Sequence, residues 1–178
     1  MTEAIFEHPR LVSTYDALDP DRGDLDVYVA VAEELGARRA LDVGCGTGTF
    51  ALLLADHGLE YDALRPGGHL VFQTRDPSCR AWLEWNRASS YRVTEIAGTG
   101  AVETWVELTH VSGPLVSFRA TWVFVSDGAV LTSDSTLRFR ERAEVEATLV
   151  ACGYVIGEVR QAPDRPGREF VFFARKTT

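Results

Sequence analysis

The stretch Leu41-Asp42-Val43-Gly44-Cys45-Gly46-Thr47-Gly48-Thr49-Phe50 constrains this chain most, because an apolar strand there runs into alternating glycines and then into a helix. Gly44, Gly46 and Gly48 have no Cβ, so the backbone can turn tightly and lie against a ligand. The helix that follows opens on unpaired N–H donors and a partial positive charge. Asp42, just before the turn, is placed to orient the loop or to accept a bond from a ligand ammonium. The dinucleotide fingerprint needs glycine at its sixth position, where Thr49 stands, and no Lys-Ser/Thr follows as a phosphate loop requires. Nicotinamide dinucleotides and nucleoside triphosphates are therefore disfavoured as ligands.

A chain of 178 residues with 46% hydrophobic content suits a single domain, 1–178, with a real core. Its formal charge of −8 repels a phosphate backbone, and no basic cluster with interleaved aromatics offsets that, so nucleic acid is not expected as a partner. Cys45, Cys79 and Cys152 form no metal-binding spacing, and their odd number suits a reducing compartment. Met1 to Arg10 contains no apolar signal core and no later run reaches membrane-spanning length, so a cytoplasmic protein without a membrane partner is expected.

Periodicity predicts a helix over Leu25 to Leu35, with Asp24 as its N-cap and Gly36 past its end, leading into a strand at Ala40 to Val43. Phe50 to Ala55 continues as a helix that Gly58 stops, and Arg65-Pro66-Gly67-Gly68 turns into a buried strand at His69 to Thr74. Trp82 and Trp85 suggest a short helix packing one aromatic edge. From Tyr91 to Arg140 the period becomes two: Val116, Phe118, Ala120, Trp122 and Phe124 share a face. Ser126-Asp127-Gly128 marks a hairpin that sets Leu131, Leu137 and Phe139 against them. With a preceding strand at Val102 to Val111 this makes an antiparallel meander over 91–140, whose large apolar face must be covered. A helix at Ala143 to Cys152 ends at Gly153, and strands at Tyr154 to Val159 and Glu169 to Ala174 flank the turn Asp164-Arg165-Pro166-Gly167.

The order acid-x-Gly-x-Gly-x-Gly from Asp42 to Gly48 resembles motif I of the class I S-adenosylmethionine-dependent methyltransferases. Leu64 to Phe72 looks like that family's turn and fifth strand. Leu137 to Arg140, with the helix after it and Gly153-Tyr154, resembles its closing helix and last strand pair. The antiparallel insertion is similar to that of members acting on small molecules, and Tyr15-Asp16 resembles the N-terminal segment that covers the cofactor. The resemblance implies an α/β fold, a reduced Rossmann-like methyltransferase core with an antiparallel β-meander insertion. It implies S-adenosylmethionine as cofactor, held by Asp42, Gly44, Cys45, Gly46 and Gly48, with Tyr15 as a hydroxyl donor.

The chain departs from the family between Glu60 and Tyr61, where the second strand's acid for the ribose diol, the third strand's adenine contact and the fourth strand are expected. Three strand–helix units of roughly 25 to 30 residues each are absent by that comparison. The first strand then lacks both family neighbours, and a right-handed crossover sets the His69 strand on the side of the missing second one. Open edges invite pairing, so a homodimer is expected. A rearranged small sheet, a partner supplying strands, or a longer natural molecule each satisfies those edges.

His8, His57, His69 and His110 show no metal spacing, and only His110, near Trp105, is a candidate base. Ser133-Asp134 lacks a nucleophile-elbow setting, while Glu103 and Glu107 read as a solvated strand face. No catalytic residue is identified and no metal is expected. The sequence thus points to an S-adenosylmethionine-dependent methyltransferase with a small-molecule acceptor and weakened cofactor binding. The alternative is a non-catalytic methyltransferase remnant serving as a dimerisation or ligand-binding module.

Overall fold

The computed structural model describes residues 3–18, 23–42, 49–57, 59–61 and 67–177. Its elements run α1 (Ala4–Glu7), α2 (Pro9–Leu18), α3 (Gly23–Glu34), β1 (Arg39–Ala40), α4 (Thr49–Asp56), β2 (Glu60–Tyr61) and β3 (His69–Arg75). Two 3-10 turns, Pro77–Cys79 and Ala81–Glu84, precede α5 (Arg87–Ser90), β4 (Arg92–Ile96), β5 (Gly100–Ser112), β6 (Leu115–Phe124) and β7 (Ala129–Arg138). The chain closes with α6 (Arg142–Ala151), β8 (Tyr154–Gln161) and β9 (Glu169–Lys176). These elements form two compact units, one from the described residues of 1–20 and 76–140, the other from those of 21–75 and 141–178.

The first unit is built on the antiparallel meander β4-β5-β6-β7. The hairpin expected at Ser126 to Gly128 is present, with Gly128 at φ +70°, a conformation that costs a side-chain-bearing residue strain. Register pairs Trp122 with Leu131 and Val116 with Leu137, so the apolar residues of both strands share one face. That face is covered from within its own unit. Leu11 of α2 packs into the buried cluster of Ile96, Val102, Trp122 and Phe124, with Ile5 and Leu18 beside it. Farther along the sheet, Trp85 meets Phe118 edge-on at 4.8 Å and Trp82 meets Phe139 at 4.6 Å. The short helix expected at the tryptophans is a 3-10 turn.

In the second unit a three-stranded antiparallel sheet, β3-β9-β8, lies between two helices. Val31 and Leu35 pack with Val71, Val171 and Phe173 on one face, while Val145 and Leu149 of α6 pack with Phe72, Phe172 and Ala174 on the other. Burial from both sides explains why Phe170 to Ala174 reads as a continuous apolar run and not as an alternation. A separate parallel pair joins β1 to β2, matching Arg39 with Glu60 and Ala40 with Tyr61.

That pair corrects two expectations. The first strand has a parallel neighbour, because the chain leaving α4 returns at Leu59 and closes a short strand–helix–strand unit at Glu60–Tyr61, well before His69. The His69 strand is consequently not the crossover partner of β1. All seven of its residues pair antiparallel with β9, and Phe72 stacks on Phe172 at 5.2 Å. Asp24 lies inside the first turn of α3, which begins at Gly23, and so is not its N-cap. There its charge still favours the positive end of the helix.

Candidate functional site

Asp42 stands half-buried just beyond β1, at the carboxyl end of a parallel strand and ahead of α4. Open α/β sheets bind their ligands at such ends. Gly44, Cys45, Gly46 and Gly48 lie outside the described residues, as does Gly58. What the second unit does show is how the element after the glycine run is held. Phe50, near the start of α4, meets Tyr28 of α3 edge-on at 5.9 Å.

Tyr28 in turn begins a polar network under the carboxyl end of β3. Its hydroxyl donates to Gln73 Oε1 at 2.8 Å, and Gln73 Nε2 donates to Oε2 of Glu169. Arg165 Nη1 donates to Glu169 Oε1 at 3.0 Å, and the Arg75 guanidinium lies 3.9 Å from the same oxygen. Glu169 is only 4% exposed, so these donors substitute for water around a buried carboxylate. Burial, then the negative charges of Glu169, Asp164 and Asp24, push the Tyr28 phenol up to about 12. At neutral pH it is a fixed hydrogen-bond donor, not a base. The network therefore positions α3 on the sheet and, through Tyr28 and Phe50, positions α4.

Tyr15 belongs to the first unit, where it lines a half-open cavity of about 200 Å³ with Ile5, Leu11, Leu18 and Trp122. Leu11, Tyr15 and Leu18 follow an i, i+4, i+7 stripe on α2 that faces the sheet. The helices are pinned to that sheet. The Ile5 N–H donates to Ser133 Oγ, and Arg10 donates to both oxygens of Asp127 at 2.7 and 3.2 Å. The Arg10 guanidinium also lies 3.6 Å over the Phe124 ring. Its hydrogen bond, seconded by the Ala129 N–H, holds the Asp127 carboxyl below the usual carboxylate range.

His110, the candidate base, is exposed on β5, and the Trp105 indole donates to Glu107 at 2.8 Å. Among the described residues no group of three histidines, cysteines or acids could hold a metal ion, and no helix is long and apolar enough to cross a membrane. Sequence reasoning missed the Glu169 network and the cavity. An acid opening an otherwise apolar strand, Glu169-Phe170-Val171-Phe172-Phe173, was the available signal for the first.

No family model matches the sequence, and no curated protein matches it. Solved structures do. An S-adenosylmethionine-dependent methyltransferase from Clostridium acetobutylicum superposes with a TM-score of 0.61 at 12% identity, covering 95% of this chain and 98% of that one. The S-adenosylmethionine-bound amino pentose methyltransferase CalS10 from Micromonospora echinaspora gives 0.57 at 20% identity, covering 92% and 97%. The shared property is the fold, an α/β Rossmann-like methyltransferase core, here reduced and carrying an antiparallel meander.

Proposed function

We propose that this chain binds S-adenosylmethionine through Asp42, Gly44, Cys45, Gly46 and Gly48, with Tyr15 as a further contact, and methylates a small molecule. The observation that carries the reading is the parallel β1–α4–β2 unit bracketing the glycine run, in a chain whose fold matches methyltransferase structures. The solved neighbour CalS10 is described as an amino pentose methyltransferase, which favours a small-molecule acceptor. When bound, the cofactor supplies an electrophilic methyl on a sulfonium.

The chain's own contribution is alignment. The backbone N–H groups of the loop fix the cofactor's methionine and ribose end, and Asp42 accepts from its ammonium. Methyl transfer gains most from holding the acceptor nucleophile in line with the methyl, so no general base need be assigned. On this reading the segment that carries the ribose and adenine contacts in the family has no counterpart between Glu60 and Tyr61. Losing a charged acceptor for the ribose diol costs about 1.5–3 kcal/mol, and with the adenine contacts the affinity falls roughly a hundredfold. The protein works as a cytoplasmic homodimer that shields its short sheet edges. Sedimentation at high dilution tests that assembly, and a strictly monomeric species of the full chain mass contradicts it.

Titration calorimetry with S-adenosylhomocysteine tests the function. Micromolar binding that disappears in Gly46→Val supports it. No binding at millimolar ligand supports the non-catalytic alternative, a remnant that dimerises or binds another ligand through its meander.

A further inference from the structure

We propose that Tyr28 is a positioning residue: acting through Phe50, it sets the first turn of α4 and, with it, the affinity of the glycine run for S-adenosylmethionine. The affinity rests on the function proposed above; the placing of α4 does not. The element to be placed is short. A helix of eight residues is not stable by itself, so what it packs on decides its direction. Two contacts with α3 bracket it, Tyr28 against Phe50 near its start and Glu33 3.3 Å from His57 just past its end. The His57 and Glu33 side chains are 42% and 65% exposed, and such a pair is worth little. Leu54 buries the middle of the helix. Its start therefore depends on Phe50, half-buried as the second residue of α4 and two positions beyond Gly48 in the chain.

The polarity of the hydrogen bonds is what holds Tyr28 still. The buried Glu169 carboxylate only accepts, so Gln73 turns its amide NH2 toward it and its carbonyl away. That carbonyl takes the Tyr28 hydroxyl as its donor at 2.8 Å, while Arg165 secures the other Glu169 oxygen at 3.0 Å. Reversing the Gln73 amide would set its carbonyl against the carboxylate and leave a buried acceptor without a donor. The phenol, pushed up to about 12, keeps its proton at neutral pH and so keeps that direction. Its ring edge is consequently offered to Phe50 in one orientation. The bonds run from β9 through β3 to α3, so the sheet itself fixes the angle at which α4 begins. The first-turn N–H groups of a helix are the donors that meet a ligand at that end. A misplacement of about 1 Å there is enough to cost as much as about a hundredfold.

Amide hydrogen exchange and calorimetry with S-adenosylhomocysteine, both on the full chain, test the two halves. Tyr28→Phe keeps the ring on Phe50 and loses only the hydroxyl. It should speed exchange of the amides of residues 50–57 at least about threefold and weaken the ligand by roughly three- to tenfold, the worth of one hydrogen bond. Val145→Ala loosens the opposite face of the same sheet and should leave both readouts within about twofold of the parent. A general loss of stability would instead move the two variants alike. Rescue comes at Glu169. Glu169→Gln keeps an acceptor for Gln73 and should stay within about twofold of the parent, whereas Glu169→Leu removes it and should match Tyr28→Phe. Gln73→Leu breaks the same link if Glu169→Leu does not fold. Unchanged exchange in Tyr28→Phe, equal effects in Val145→Ala, or equal losses in Glu169→Gln and Glu169→Leu overturns the positioning role. If the parent chain binds no S-adenosylhomocysteine at millimolar ligand, the proposed function falls, while faster α4 exchange in Tyr28→Phe keeps Tyr28 as the residue that places α4. If parent and Tyr28→Phe bind the ligand equally, the function stands and the effect of Tyr28 on affinity is refuted.

Discussion

Replacing Trp122 by alanine measures how the meander face is covered. The indole is 6% exposed and packs in the cluster with Leu11, Ile96, Val102 and Phe124. A tryptophan buries about 150–250 Å², worth roughly 4–6 kcal/mol at about 25 cal/mol per Å² for the whole side chain. Alanine keeps its Cβ, and truncation of a large buried aromatic typically costs about 3–5 kcal/mol. Because the void would merge with the half-open cavity beside it, water can enter and the cost falls at the lower end, about 3 kcal/mol. At this chain length that lowers the thermal midpoint by about 6–12 °C. Trp105 is the control: it belongs to the same sheet, half-buried, with Arg87 4.4 Å over its ring and its indole on Glu107. Trp105→Ala should cost about 1 kcal/mol or less. Urea denaturation followed by near-ultraviolet circular dichroism reads both. If the two variants cost the same, or Trp122→Ala stays within about 1 kcal/mol of the parent, the helices do not cover this face as described.

Three further outcomes follow from the same geometry. Tyr15→Phe removes only a hydroxyl, so it should weaken S-adenosylhomocysteine by roughly two- to tenfold, the worth of one hydrogen bond; an unchanged affinity would take Tyr15 out of the cofactor site. Glu169→Leu strips the acceptor from Gln73 and Arg165 and should cost about 2–3 kcal/mol in urea, whereas Glu34→Gln, at an exposed Arg160 pair, should leave the midpoint unchanged. Acid should destabilise through Asp127 and Asp134, which hydrogen bonds from Arg10 and Arg119 hold below their ordinary range. A depressed carboxyl contributes above its unfolded value and loses that contribution as pH falls through the folded one, so the thermal midpoint should stay flat to about pH 5 and drop below about pH 4. Arg10→Gln should shrink that acid loss, and an unchanged profile would contradict the Asp127 pairing.

The meander was legible because its side chains alternate with a period of two against a single core face. Val116, Trp122 and Phe124 announce that face, and Gly128 supplies the positive φ that the turn needs. The helices α3 and α6 were legible from their stripes and from Gly36 and Gly153 at positive φ beyond their ends. Strand β2 was not, since Glu60–Tyr61 is too short to show any period and is a strand only because β1 lies beside it. Glu169 was read merely as the start of a strand. Its burial follows from register, which sets Arg75 of β3 directly across from it. The cavity escaped for a similar reason, because Ile5, Tyr15 and Trp122 lie far apart in the chain and converge only when α1 and α2 fold onto β6.

The central claim, that the glycine run holds S-adenosylmethionine, is tested most directly by photocrosslinking the labelled cofactor to the full chain and mapping the label by peptide mass spectrometry. The account predicts label in the peptide containing residues 41–50, suppressed by excess S-adenosylhomocysteine and lost in Gly46→Val. Label confined to other peptides, or labelling of that peptide that survives the Gly46→Val change and the competitor, would contradict it.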